Sequence, residues 1–210
     1  MIALLIKLVL SYMLGSVSGS MVVGSLRHVD IRKSGSGNAG GTNAFRTQGL
    51  KFALAVVLID IGKGLLATWL IPQFNLIELD RPVSAEIQML VCGFAVVLGH
   101  CYPVWHGFKG GKGAATAVGA LLVIQPMALV PMITTWLLVL IVTGWVGLAT
   151  MLAALCLIPA FYFLEATPAQ MTFAVVLALF VIFTHRSNIR NMMNGTEYRF
   201  EKARVQNWFG

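Results

Sequence analysis

Charge is what this sequence has least of. Only 11% of its 210 residues are Asp, Glu, Lys or Arg, while 58% are hydrophobic and the mean hydropathy is +0.81. A soluble domain carries about 25% charged residues, so an ordinary soluble fold is excluded and lipid must cover much of the chain. Cysteine is scarce as well. Cys92, Cys101 and Cys156 lie in or beside apolar runs with no CxxC spacing, which excludes a disulfide framework or a cysteine metal site and leaves three small hydrophobes. The first apolar stretch lacks the marks of a leader. Its only charge is Lys7 and it has no AxA-like site, so it reads as a first span that is retained.

What is present is a series of apolar runs at about 2–24, 52–71, 85–100, 114–128, 130–142, 147–164 and 169–184. A span needs roughly 20 apolar residues, and backbone groups in lipid must pair within their own segment. The expectation is an all-α integral membrane protein, one polytopic domain over residues 1–210. The stretch 114–142 is too long for one span and short for two, with Pro126 and Pro131 in its middle, where a turn fits. Charge decides the count. The segments 27–51, 109–112 and 186–204 hold 12 of the 15 Lys and Arg residues. The connection at 72–86 carries Glu78, Asp80 and Glu86 against Arg81, and 165–168 carries Glu165 alone. Cytoplasmic loops are enriched in Lys and Arg. Seven transmembrane helices, with the N-terminus periplasmic and the C-terminus cytoplasmic, put all three basic regions on one side. The net charge of +7 then serves topology, and anionic lipid or substrate, with no nucleic-acid partner.

Three connections hold more pattern than a link requires. The first runs Gly35-Ser36-Gly37-Asn38-Ala39-Gly40-Gly41-Thr42-Asn43, followed by Arg46. Glycines allow successive N–H groups to face one concavity that holds an anion, and Arg46 adds a fork suited to phosphate. Its GxGxxG at Gly35, Gly37 and Gly40 is not a dinucleotide fingerprint, because no strand precedes it. The second runs from His100 through Tyr102-Pro103 to Phe108-Lys109-Gly110-Gly111-Lys112-Gly113. It fails the Walker spacing, yet places two lysines among glycines where a helix begins, and both charge and helix N-terminus attract phosphate there. The aromatics Tyr102, Trp105 and Phe108 read as an interfacial belt. The third runs His185-Arg186-Ser187-Asn188-Ile189-Arg190, then Gly195-Thr196-Glu197. His185 and Asn188 share a face if the last helix continues. Thr150 offers a hydroxyl to the same ligand or to its own helix backbone. Asp60 and Lys63, one turn apart in the second span, read as an ion pair supporting the core.

These three motifs, in this order and spacing over nearly the whole chain, resemble the bacterial membrane glycerol-3-phosphate acyltransferases that use acyl phosphate. That resemblance implies transfer of a fatty acyl group from acyl phosphate to the 1-hydroxyl of glycerol 3-phosphate, giving lysophosphatidic acid and phosphate at the cytoplasmic face of the inner membrane. It implies no cofactor and no metal, and a hand-off from an enzyme that makes acyl phosphate. The catalytic residues would be His185, Asn188, Lys112 and Arg46. The phosphate-binding set would be Ser36, Gly37, Asn38, Gly40, Thr42, Asn43, Lys109, Gly110, Gly111 and Thr150. The chain departs from the family at Gly41 for alanine, Thr150 for serine and Thr184 for arginine.

The chemistry suits these residue types. An acyl phosphate is already activated, so gathering two phosphates and aligning a hydroxyl supplies most of the acceleration. Neither a Ser-His-Asp set nor an H-x4-D motif is present, and direct transfer without an acyl-enzyme is expected. Either the donor's phosphate or His185 takes the hydroxyl proton. The phosphate is favoured, because a basic neighbourhood disfavours the imidazolium. A transporter for phosphorylated metabolites is the main rival, but no internal repeat supports it. A non-catalytic lipid-binding protein is the second.

Overall fold

A computed structural model describes residues 1–75 and 83–205, apart from the side chain of Lys202. Glu78, Asp80 and Arg81, and the end of the tail, lie outside the described residues. Every regular element among those residues is helical, as an integral membrane chain requires. The chain divides into two compact units, Met1–Ile124 and Gln125–Gly210.

The first unit holds α1 (Ile2–Ser16), α2 (Gly19–Leu26), α3 (Gly41–Gln48), α4 (Leu50–Trp69), α5 (Ala85–Cys101) and α6 (Ala114–Ile124). Local signals set several ends. The Ser84 hydroxyl accepts the Ile87 N–H at 3.2 Å and caps α5. Gly49, at φ 82°, separates α3 from α4 in a conformation that favours glycine. Packing is by close approach. α1 lies against α5 and α4 against α6. A side chain at Gly15 would run into the Val96 carbonyl, and one at Gly99 into the Tyr12 carbonyl. Gly64 and Gly119 play the same reciprocal part between α4 and α6, facing the carbonyls of Thr116 and Ile61. Small residues bring membrane helices together where apolar burial alone gives no drive.

The expected first span over 2–24 is two helices, bent by 42°. Val17 and Ser18 are extended (ψ 105° and 120°), which strips backbone groups of their helical partners. Side chains from α4 replace those partners. Lys63 Nζ donates to the carbonyls of Gly15 at 2.8 Å and Val17 at 2.7 Å. Asp60 Oδ1 accepts the Gly19 N–H at 3.2 Å and lies 3.0 Å from Lys63 Nζ. The expected ion pair therefore exists, and its task is to satisfy a helix break. The charge in α1 is also buried. Lys7 Nζ donates to the Pro72 carbonyl at 2.7 Å and to Gln88 Oε1 at 2.6 Å.

The second unit holds α7 (Leu129–Thr143), α8 (Val146–Phe163), α9 (Pro168–Thr184) and α10 (Arg186–Met193). α9 opens on a reciprocal cap. The Thr167 hydroxyl accepts the Gln170 N–H and Gln170 Oε1 accepts the Thr167 N–H, both at 3.2 Å, with Pro168 at the first helical position. α9 and α10 meet at a 51° bend.

Of the two prolines in 114–142, only Pro126 interrupts the chain. It forces Gln125 out of the helical region, to φ −157° and ψ 77°, so α6 ends at Ile124, four residues before the expected boundary at 128. Pro131 falls in the first turn of α7, where its missing N–H would have had no partner. Among the described residues, four helical stretches are long and apolar enough to cross a bilayer, or six if each bent pair is one span. The remaining apolar helix, α6, has 11 residues, about half a bilayer thickness at roughly 1.5 Å per residue.

Gly119 sits where α6 touches the α4 backbone, so Gly119→Val is expected to overpack that contact and cost about 1–3 kcal/mol. The measurement is the melting temperature of the purified protein in detergent, and an unchanged value would refute the close-packed reading of this pair.

Candidate active site

The first glycine run is held from below by one side chain. Ile31 is fully buried in a cluster with Val23, Ala44, Phe52 and Val56, which anchors the segment before the run. Asn43, in the first turn of α3, is also fully buried. Its Nδ2 donates to the carbonyls of Ile31 at 2.9 Å and Ser34 at 3.1 Å, and its Oδ1 accepts the Ser36 N–H at 2.9 Å. Three hydrogen bonds thus commit the Asn43 amide to the loop's own backbone. Gly35 (φ 58°) and Gly37 (φ 71°) are left-handed, and a side chain at Gly35 would strike Asn43 Oδ1. The loop can close over the amide only with glycine there.

Ser36 is left exposed on this frame, and Asn38 is half-buried with its Nδ2 beside Gly40. Gly40 is the N-cap of α3 and provides no side-chain cap. Thr42 lies in the first turn of α3 and Arg46 in its last. The first-turn N–H groups of such a helix attract an anion. Arg32, by contrast, is neutralised. Its Nε and Nη2 fork onto Asp30 at 3.0 and 2.9 Å. The hydrogen bond to that guanidinium holds the Asp30 carboxyl below its usual range, and the same bond raises Arg32.

The second glycine run folds back onto the end of α5. The Gly110 N–H donates to the Cys101 carbonyl at 3.2 Å and the Gly111 N–H to the His100 carbonyl at 3.1 Å. Neither glycine could carry a side chain. At Gly110 it would meet the His100 carbonyl, and at Gly111 the His100 ring. The segment ahead of this run is pinned to α1, since Tyr12 donates its hydroxyl to the Tyr102 carbonyl at 2.7 Å and the Val104 N–H donates to Ser16 Oγ at 3.3 Å. Trp105 and Phe108 are exposed, as a belt requires. Lys109 is exposed, whereas Lys112 is half-buried and stands two residues before α6 begins.

The two runs meet. The Ala39 N–H faces the Gly110 carbonyl at 3.5 Å, and Arg32 Nη1 faces the His106 carbonyl at 3.5 Å. The first unit thereby sets Asn38 and Gly40, on either side of Ala39, beside the run that carries Gly111 and Lys112. It joins two helix N-termini, those of α3 and α6, to a lysine.

The remaining site residues belong to the second unit. Thr150 is buried. Its hydroxyl donates to the Val146 carbonyl at 2.8 Å and accepts the Trp136 indole N–H at 3.2 Å. Of the two uses foreseen for this hydroxyl, the bond to its own helix is formed. His185, at the α9–α10 bend, is 5% exposed, and its Nδ1 lies 2.8 Å from the Val181 carbonyl. A carbonyl only accepts, so Nδ1 donates in this contact. Asn188 Nδ2 donates to Glu197 Oε1 at 2.7 Å, and its side chain packs where Gly147 of α8 has none. Glu197 also borders an open cavity of about 530 Å³ with Trp145, Met192 and Arg199.

Several partners escape a reading of sequence. Glu197 was visible in the third motif, but nothing along the chain marks it as the acceptor for Asn188. Trp136 and Gly147 are ordinary residues of apolar runs, and His100 pairs with Asp60 and Lys63 across 37 or more residues.

Known proteins resemble this chain in sequence and fold. The family described as glycerol-3-phosphate acyltransferase matches residues 5–195. The glycerol-3-phosphate acyltransferase of Chlorobium limicola is 38% identical over 228 aligned positions, covering 95% of this chain and 97% of that protein. That of Bacillus subtilis is 38% identical over 198 positions, covering 94% and 96%. A crystal structure of PlsY, described as an integral membrane glycerol 3-phosphate acyltransferase in its glycerol 3-phosphate form, superposes with a TM-score of 0.85 at 30% identity over 99% of both chains. With match, coverage and fold in agreement, this chain belongs to the glycerol-3-phosphate acyltransferase family.

Proposed function

We propose that this protein transfers a fatty acyl group from acyl phosphate to the 1-hydroxyl of glycerol 3-phosphate, releasing lysophosphatidic acid and inorganic phosphate. The observation that carries this reading is the junction of the two glycine runs at Ala39 and Gly110, which sets Lys112 among backbone N–H groups at two helix starts. Such a place suits a dianion, and the reaction has one in its acceptor, its donor's head and its leaving group. The solved relatives are described in a glycerol 3-phosphate form and a lysophosphatidic acid form, which names an acceptor and a product of this reaction. The donor is what the resemblance of the three motifs to the acyl-phosphate-using acyltransferases implies.

In this reading the hydroxyl oxygen attacks the donor's carbonyl carbon and the C–O bond to phosphate breaks. The phosphate leaves with the electron pair and takes the hydroxyl proton. Arg46, Lys112, Ser36, Gly37, Asn38, Gly40, Thr42, Lys109, Gly110 and Gly111 gather phosphate, and Asn43 acts by holding the loop. His185, Asn188 and Thr150 are assigned to the same reaction. In a second reading the His185 imidazole, held at Nδ1 by the Val181 carbonyl, takes the proton. The protein works as one acyltransferase of seven spans in a bacterial inner membrane. Its N-terminus is periplasmic, and its loops and tail face the cytoplasm, where an enzyme producing acyl phosphate hands over the donor.

Four measurements test this. Purified protein given acyl phosphate is expected to release phosphate only when glycerol 3-phosphate is added, and to carry no acyl label when the acceptor is withheld. Labelled protein would end direct transfer. Lys112→Ala and Arg46→Ala are each expected to raise the KM for glycerol 3-phosphate about 10- to 100-fold, the value of a charge-assisted phosphate contact; unchanged KM values would place the cradle elsewhere. His185→Ala is expected to retain turnover at saturating substrate within about tenfold, whereas a fall of about 10²–10⁴ would assign the proton to the imidazole. Single cysteines at Ser36 and Ser187 are expected to label from one face of sealed vesicles, and labelling from opposite faces would end the proposed topology.

A further inference from the structure

Buried in the first unit is a cluster of three polar side chains that the reaction as written does not use. Asp60, Lys63 and His100 are 1%, 4% and 4% exposed. His100 Nδ1 lies 3.0 Å from Lys63 Nζ and 3.3 Å from Asp60 Oδ1. Burying a charged pair is costly, and a well-packed apolar set of similar volume is often as stable or more so. The cluster is not even saturated, since Asp60 Oδ2 is buried without a hydrogen-bond partner among the described residues. Satisfying the helix break accounts for Asp60 and Lys63 but leaves His100 without a task.

Each member reaches a different part of the machinery. Lys63 and Asp60 hold the break between α1 and α2 through Gly15, Val17 and Gly19. His100 stands at the end of α5, with its Nδ1 edge on that pair and its Nε2 edge against Gly111. The carbonyls of His100 and Cys101 receive the N–H groups of Gly111 and Gly110. Lys112 is the next residue, and the Gly110 carbonyl faces Ala39 of the first run. One imidazole thus fills the space between a buried ion pair and the backbone that carries Lys112.

We propose that the Asp60–Lys63–His100 cluster is a positioning device for the second glycine run: the His100 ring, held on one edge by the ion pair, props Gly111 and so sets the Lys112 backbone for phosphate. This rests on the reading of that run as a phosphate cradle. His100 touches no substrate in this role. It acts through Gly111, and Gly111 is glycine because the ring occupies the place of a side chain.

The test is a double-mutant cycle on the full-length protein in detergent, with inorganic phosphate as the probe. His100→Ala removes the prop, and Gly111→Ala inserts a methyl where the ring stands. Each is expected to weaken phosphate binding and raise the KM for glycerol 3-phosphate by about tenfold or more, as displaced contacts do. In the double variant the methyl enters the space the ring vacated, so phosphate affinity is expected to exceed that of Gly111→Ala alone. Effects that simply multiply, or a lowered melting temperature with unchanged phosphate affinity, would reduce the cluster to a helix brace and overturn the proposal. Should His100→Ala not fold, His100→Asn replaces it, since its amide still reaches the ion pair but not Gly111. A folded His100→Asn protein with weakened phosphate binding supports the prop, and one with native affinity refutes it. Phosphate binding is read apart from acyl transfer, so the positioning claim and the acyltransferase reading stand or fall separately.

Discussion

A helix that breaks inside a membrane leaves backbone groups that water cannot reach, and the first unit is organised around one such break. The chain is extended at Val17 and Ser18, and the Asp60–Lys63 pair of α4 receives the stranded groups on both sides. The pair can do this only because Gly15 lets α1 approach the α5 backbone and Gly19 lets α2 approach α4. Remove the charges and the carbonyls are stranded; fill the glycines and the charges are out of reach. The ion pair and the close packing are therefore one constraint.

From that constraint the loops inherit their positions. α1 pins the segment before the second glycine run through Tyr12 and Ser16, and α5 carries the run itself on its last two carbonyls. The first run is built by a different device, a buried asparagine that supplies the hydrogen bonds a strand or helix would have supplied. Both devices leave backbone N–H groups at helix starts beside a lysine. A site made mainly of backbone needs few charged residues, which suits a chain with so little charge.

The helices were largely legible along the chain. Apolar runs of span length have one solution in lipid, so α4, α5, α8 and α9 fall close to the segments their hydropathy marks. The misses have local causes. The break at Val17–Ser18 is invisible because its partners lie more than 40 residues away on α4. The end of α6 at Ile124 follows from Pro126 acting on the residue before it, while Pro131 is absorbed by a first turn. The phosphate motifs were legible as glycine, hydroxyl and basic residues in tight spacing, but their inner roles were not. Asn43 looks like any other donor of its loop until its burial shows that all three of its bonds are turned inward.

The sequence by itself determined that the chain is helical and lies in a membrane, because hydropathy and backbone hydrogen bonding in lipid leave no other choice. It also marked the three patterned connections, because glycine runs with lysine and arginine are more than a link requires. Only the tertiary structure decided which side chains hold the loops and which remain available to a ligand. Asn43 and His100 carry groups that a substrate could use, and their neighbours in space, distant or hidden in sequence, have already claimed them. Composition records which hydrogen-bonding groups a chain owns, and folding decides where each is spent.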